Sequence, residues 1–332
     1  MHTENTEHST ADARPGISAA RTMLMGLAII FIMLFHLQTE DFGWFSFVCN
    51  YYGLWGVDVF LFLSGFGIVY SLRRWQPGQS LAGFYAKRIK RLMPACVLCG
   101  TLFYLWAPHA PTLQHVLLQV TGMDMWYVRV ILLFYLFSPL LLLVVRRFNT
   151  WGWLLVFTLL TEVLLALCIY LQPDSGTLNL YRATVCWGLA RFPAFLAGMC
   201  VAQGMRCNNY FTAALCLLFS VAARFMFRQG EGWLCSEYCD LMPLAALVFA
   251  MPAGCYLLGL VRPHLPQGVL VPVEWAGRHS LELYLVHLPL YPMVREWVGA
   301  TIWFPFSALV LSVLIAAAVS FLITLVRKSG II

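Results

Sequence analysis

Charge is scarce in this chain. Of its 332 residues only 11% are Asp, Glu, Lys or Arg, against about 25% in soluble globular domains. That shortage excludes a pair of soluble domains, which the length alone would permit. Apolar residues make up 61% of the sequence, more than a water-soluble core can hide, so lipid is the solvent for most of the chain. A metal or disulfide framework is also missing. Cys96, Cys99, Cys168, Cys186, Cys200, Cys216 and Cys255 are scattered through apolar runs, where cysteine behaves as a small hydrophobe. Cys235 and Cys239 are the one close pair in an expected external loop, and a disulfide there stays open because spacing alone does not fix Cβ geometry. The first 20 residues are polar and lack an A-x-A site, so no removable signal peptide is expected. No internal repeat or low-complexity tract is visible. The net charge of +6 is no nucleic-acid signature, because the basic residues sort by loop.

What is present is a series of apolar runs. They fall near 22–38, 53–72, 92–107, 125–145, 151–171, 185–205, 210–227, 239–261, 276–294 and 302–326, and a spanning helix needs about 20 such residues. The expected fold is an all-α polytopic membrane protein of about ten transmembrane helices. Its divisions are a polar cytoplasmic segment over 1–20 and a single membrane domain over 21–332. Alternate loops hold the cations unequally. With the N-terminus inside, one side carries Arg14, Arg21, Arg73, Arg74, Lys87, Arg88, Lys90, Arg91, Arg146, Arg147, Arg206, Arg262, Arg278, Arg327 and Lys328. The other keeps Arg182, Arg228, Arg295 and, near its edge, Arg224. An excess of Lys and Arg marks the cytoplasmic side, so both termini are expected there.

The ionisable residues inside the runs need a reason, because each costs roughly 2.5–3.5 kcal/mol at a helix centre on insertion scales. They are His36, Asp58, Arg129, Glu162, Arg191, Glu282 and His287. A helix–helix contact or a side chain reaching the interface explains any single one, Glu162 above all, which has no motif around it. Seven together point to a polar cavity. His36 ends the first run and Asp58 begins the second, so both are expected toward the external half of the bilayer. A carboxylate beside an imidazole fixes its tautomer and raises its basicity, as general-base catalysis requires. On the opposite side, Phe84 to Pro94 reads as a basic helical turn entering the third run. Such a run serves as an orientation signal or lipid contact, or as a dock for a phosphorylated ligand.

Several stretches, in order, resemble the integral-membrane acyltransferase-3 family, which includes bacterial O-acetyltransferases that decorate sugars. Gly26 to His36 is similar to the family's opening helix with its essential histidine. Gly56-Val57-Asp58-Val59-Phe60-Leu61-Phe62-Leu63-Ser64-Gly65-Phe66 is similar to its most recognisable stretch. Arg88 and Arg91 occupy the R-x-x-R positions of its basic motif. Trp126-Tyr127 through Tyr135 and Pro139, then Arg191-Phe192-Pro193 through Gly198, follow in the expected order. Ser280 to His287 looks like the late S-L-x-x-Y-L-x-H segment. One position departs. The family's first helix commonly carries an arginine eleven positions before the histidine, and here that position is Met25, with Arg21 one turn further toward the cytosol.

The resemblance implies transfer of an acyl group, most often acetyl, from a coenzyme A thioester to a carbohydrate hydroxyl at a bacterial inner membrane. It assigns catalysis to His36, as general base or transient acyl carrier, with Asp58 orienting the imidazole. Arg88 and Arg91, with Lys87 and Arg21, would hold the acyl-CoA phosphates. Arg191, Glu282, Tyr284, His287 and Ser64 would line the cavity. The expected partners are acyl-CoA (acetyl-CoA), a carbohydrate acceptor and the bilayer, with no metal and no nucleic acid. A transporter of a small solute or lipid-linked sugar is the competing class, since coupled carriers also bury His, Asp and Arg. A non-enzymatic scaffold leaves the buried charges unexplained.

Overall fold

A computed structural model describes residues 14–38, 43–106, 112–171, 182–206, 209–229, 243–299 and 301–329. Cys235, Cys239 and residues 1–13 lie outside them. Among the described residues there is helix and no strand. In chain order the helices are α1 (Arg14–Leu37), α2 (Trp44–Tyr52), α3 (Gly56–Leu72), α4 (Ala82–Trp106), α5 (Leu113–Val120), α6 (Trp126–Arg147) and α7 (Trp151–Tyr170). They continue as α8 (Trp187–Ala202), α9 (Tyr210–Gln229), α10 (Pro243–Val261), α11 (Gln267–Arg278), α12 (Ser280–Val298) and α13 (Trp303–Lys328). A π-helical turn, Arg182–Cys186, leads into α8.

Among the described residues, seven segments are long and apolar enough to cross a membrane: Arg14–Leu37, Trp44–Leu72, Trp126–Arg147, Trp151–Cys168, Thr184–Ala202, Leu244–His264 and Trp303–Lys328. Three further expected runs correspond to α9, with its shorter apolar stretch Tyr210–Met226, and to α4 and α12. The last two are long but diluted by the basic motif in α4 and by Pro289 and Pro292 in α12. The outward faces of α7 and α13 expose Leu159, Val163, Leu314 and Phe321, as lipid-facing surfaces do. The inner helices α1, α3 and α8 hold the buried core.

Two boundaries differ from the sequence reading. α4 begins at Ala82 rather than near 92, because the basic motif is continuous helix with the span above it. The expected run over 276–294 is broken at His279, which separates α11 from α12. α11 buries only Leu270, Ala276 and Gly277, too thin an apolar face to read as a span. It lies against α1, where Gly277 meets the backbone of Thr22 and Gly26 meets that of Val273.

Two contacts set the register that matters for the site. α3 runs antiparallel to α1, with Gly56 beside Ala28 and Ile32 and Gly67 beside Arg21. α3 runs parallel to α8, where neither Gly65, against Phe195, nor Gly198, against Phe62, has room for a Cβ. The first and last described helices, α1 and α13, both reach the face that carries the basic motif at their outer ends. Gly16 packs on Tyr256 near the end of α10, and the Arg327 guanidinium donates to the Lys90 carbonyl at 3.2 Å. Reporter fusions after Arg74 and after Lys328 should therefore give cytoplasmic signal, and a fusion within 108–124 external signal. The reverse pattern at any of the three sites would overturn the orientation.

Candidate active site

Five helices enclose a cavity of about 180 Å³. α3 supplies Val57, Phe60, Ser64, Gly67, Ile68 and Ser71 to its wall, positions that recur every three or four residues and so share one helical face. α6 supplies Tyr127, Ile131 and Tyr135 at four-residue spacing. Arg21, Met25 and Ile32 come from α1, Arg88, Arg91 and Leu92 from α4, and Ser280, Leu281 and Tyr284 from α12.

One end of this cavity is basic. Arg21, Arg88 and Arg91 stand around it, and no carboxylate lines it among the described residues. The Nε atoms of Arg21 and Arg88 are buried with no hydrogen-bond partner. Arg88 is held in place from three sides: its Nη2 donates to Ser71 Oγ at 2.5 Å, and its guanidinium lies over Phe84 at 5.0 Å and Tyr135 at 5.6 Å. Arg21 approaches the bare face of Gly67, where an added Cβ would lie 3.1 Å from its Nη2. Like-charged guanidiniums gathered without an acid have unused donors aimed at an anion. Met25, at the position where the resemblance expects an arginine, also lines the wall, one turn from Arg21. Lys87 stands off this cavity, on an adjoining cleft.

The other end stops at Ile32, one helical turn below His36. His36 Nδ1 is 2.8 Å from the Ile32 carbonyl and 3.3 Å from His287 Nε2. His287 Nδ1 is 2.9 Å from the Leu283 carbonyl. A carbonyl oxygen only accepts, so each Nδ1 carries a proton, and in the neutral imidazole each Nε2 then keeps a lone pair. His287 therefore presents an acceptor to the protonated edge of His36. That leaves the His36 Nε2 lone pair free, as a base requires.

Asp58 does not touch His36. Gly56, two residues before it, already sits at the level of Ala28 and Ile32, so Asp58 lies more than a turn deeper than His36. Its face of α3, shared with Phe62 and Gly65, turns toward α8, and Asp58 Oδ1 is 3.6 Å from Arg191 Nε. The Arg191 guanidinium also lies over Trp126 at 5.2 Å and Trp187 at 5.3 Å. Both members of the pair are essentially inaccessible to solvent. Asp58 is therefore not against the imidazole, and the side chain that meets His36 Nδ1 is His287, at 3.3 Å.

Of the five residues expected on the cavity wall, Ser64 and Tyr284 are there, the Tyr284 hydroxyl buried without a partner. Arg191 is withdrawn into the α3–α8 contact, and His287 sits above with His36. Glu282 is not on the cavity wall. Arg129 bridges backbone and side chain off the cavity, donating from Nε to Thr184 Oγ1 at 2.6 Å. Glu162 is on α7, its carboxylate oxygens buried and unpaired. The sequence reading left Ser71, Tyr127 and Tyr135 out of the site. The four-residue recurrence Tyr127–Ile131–Tyr135 inside an apolar run was the available signal.

A family model described as an acyltransferase domain matches residues 23–325, which includes every residue of the cavity except Arg21. No curated protein and no solved structure matches the chain.

Proposed function

The chain belongs to the acyltransferase-3 family, and on that premise we propose that it transfers an acyl group, most often acetyl, from cytoplasmic acyl-CoA to a hydroxyl of a carbohydrate at the far side of a bacterial inner membrane. One observation carries the donor assignment: three arginines, two with buried unpaired Nε atoms, surround the cytoplasmic mouth of a cavity that has no carboxylate on its described wall. Coenzyme A offers several phosphates joined to a slender arm. The phosphates match Arg88 and Arg91, with Arg21 further in and Lys87 at the rim. The arm matches the mixed polar and apolar passage past Ser64, Tyr127 and Tyr284.

The chemistry then follows from the tautomer of His36. An acceptor hydroxyl gives its proton to Nε2 as its oxygen attacks the thioester carbonyl carbon. The imidazolium that forms keeps its Nδ1–H shared between the Ile32 carbonyl and His287 Nε2, which spreads the new charge. The C–S bond breaks, the acyl group stays on the acceptor oxygen, and the departing thiolate takes the proton from Nε2. His36 acting as an acyl carrier needs the same lone pair, and general-base action is the simpler sequence because it has one transfer. A transporter reading is weaker, since it gives no reason for unpaired arginines at one mouth only.

Replacing both Arg88 and Arg91 with alanine should raise the apparent KM for acyl-CoA well over tenfold, as expected from losing charge-assisted contacts of about 1.5–3 kcal/mol each. Membrane insertion should be normal. The check is steady-state transfer against donor concentration, and an unchanged donor KM would reduce the cluster to an orientation signal.

A further inference from the structure

Beside the inner cavity lies a second, outer cleft of about 360 Å³. Ser71 and Arg88 line both, so their hydrogen bond forms the partition between two adjoining chambers. The outer one is built by the turn between α3 and α4 together with the start of α4. Its wall includes Arg74, Trp75, Ser80, Phe84, Lys87 and Arg88, with no carboxylate among the described residues. The turn is tied down on several sides. Trp75 Nε1 donates to the Gln79 carbonyl at 3.1 Å, Gln76 N–H to Gln79 Oε1 at 3.0 Å, and Arg146 Nη2 to the Trp75 carbonyl at 3.3 Å. Gly78 takes the left-handed backbone, φ 90°, that closes it. The indole is thus a fixed, half-buried platform rather than a loose surface side chain.

Three cations, two aromatic rings and a shared wall with the acyl cavity form a pattern with one economical ligand. We propose that the outer cleft seats the nucleotide end of the donor, a 3′-phosphorylated adenosine diphosphate, with the base against Trp75 and Phe84, the 3′-phosphate against Arg74 and Lys87, and the diphosphate at Arg88 on the shared wall, next to Arg91. This rests on the reading of the donor as acyl-CoA and adds Arg74 and Trp75 to its site. Phosphate contacts position and hold, while a fixed aromatic face recognises the base. An anionic lipid headgroup would use the same cations, but it gives no role to the continuity with the inner chamber. The Ser71–Arg88 partition then marks where the pantetheine arm leaves the nucleotide and passes inward.

The test compares ligand fragments on the purified full-length protein in nanodiscs, by calorimetry with coenzyme A, adenosine 3′,5′-bisphosphate and pantetheine. Trp75→Ala and Arg74→Ala should each weaken coenzyme A and the bisphosphate by about tenfold, with pantetheine unchanged and thermal unfolding as in the wild type. Trp75→Phe, which keeps a stacking face, should restore most of the affinity and guards against a folding defect in the alanine variant. Coenzyme A binding that is indifferent to Arg74 and Trp75 overturns this proposal and leaves the donor reading standing. A wild-type protein that binds no coenzyme A overturns the donor reading and this proposal with it. A cleft that responds to phosphatidylglycerol in the nanodisc, and not to the bisphosphate, is a headgroup site and overturns the proposal.

Discussion

His36→Ala should lower acyl transfer by about 10²–10⁴-fold, the usual contribution of a positioned base, while donor binding stays close to that of the wild type. The separation follows from geometry. The arginines stand at one end of the cavity, and His36 lies one turn beyond the other end, at Ile32. Removing the imidazole therefore leaves every proposed phosphate contact in place. His287→Ala should cost less. It deletes the acceptor 3.3 Å from His36 Nδ1, but the Ile32 carbonyl still holds the tautomer at 2.8 Å. His287→Gln, whose amide oxygen also accepts, should recover part of that loss, which a purely structural role would not predict. Transfer assays on the three variants at saturating donor decide the matter. If His36→Ala remains active and His287→Ala does not, the base belongs to α12.

Breaking the Asp58–Arg191 pair from either side should destabilise the protein by about 3–5 kcal/mol, because a buried charge is left without its partner. Both side chains are almost completely enclosed between α3 and α8. Asp58→Asn and Arg191→Met should each lower the unfolding temperature in detergent. The double variant should be more stable than either single one, since removing both charges removes the desolvation cost as well. Activity should fall in step with the folded fraction. An Asp58→Asn protein of wild-type stability but slow chemistry would return Asp58 to the reaction and away from the scaffold.

The spans were legible because lipid imposes a length and a composition on them. All ten expected runs have a counterpart helix, and the basic motif stands at the mouth of the cavity. What the sequence hid was mostly a matter of faces and partners. Asp58 and His36 are close along the chain, and proximity in sequence suggested a pair. The helical face of Asp58 instead follows Phe62 and Gly65 toward α8. His287 was visible as a candidate, but its contact with His36 joins positions 251 residues apart, and no local pattern encodes that. Glu282 stands only two residues from Tyr284, and on a helix that is enough to turn it off the cavity wall. The helices α2, α5 and α11 were missed because they are short or bury a narrow stripe, so neither length nor apolar run announces them.

In the proposed reaction the acyl group enters from the cytoplasmic face and reaches a hydroxyl beyond it. Sealed membrane vesicles of defined orientation test this directly, with radiolabelled acetyl-CoA added outside, where it cannot cross the bilayer. Vesicles with the cytoplasmic face outward should label the glycan fraction only when they carry the wild-type protein, and His36→Ala should abolish the label. Labelling confined to vesicles of the opposite orientation, or equal in vesicles lacking the protein, would contradict the account.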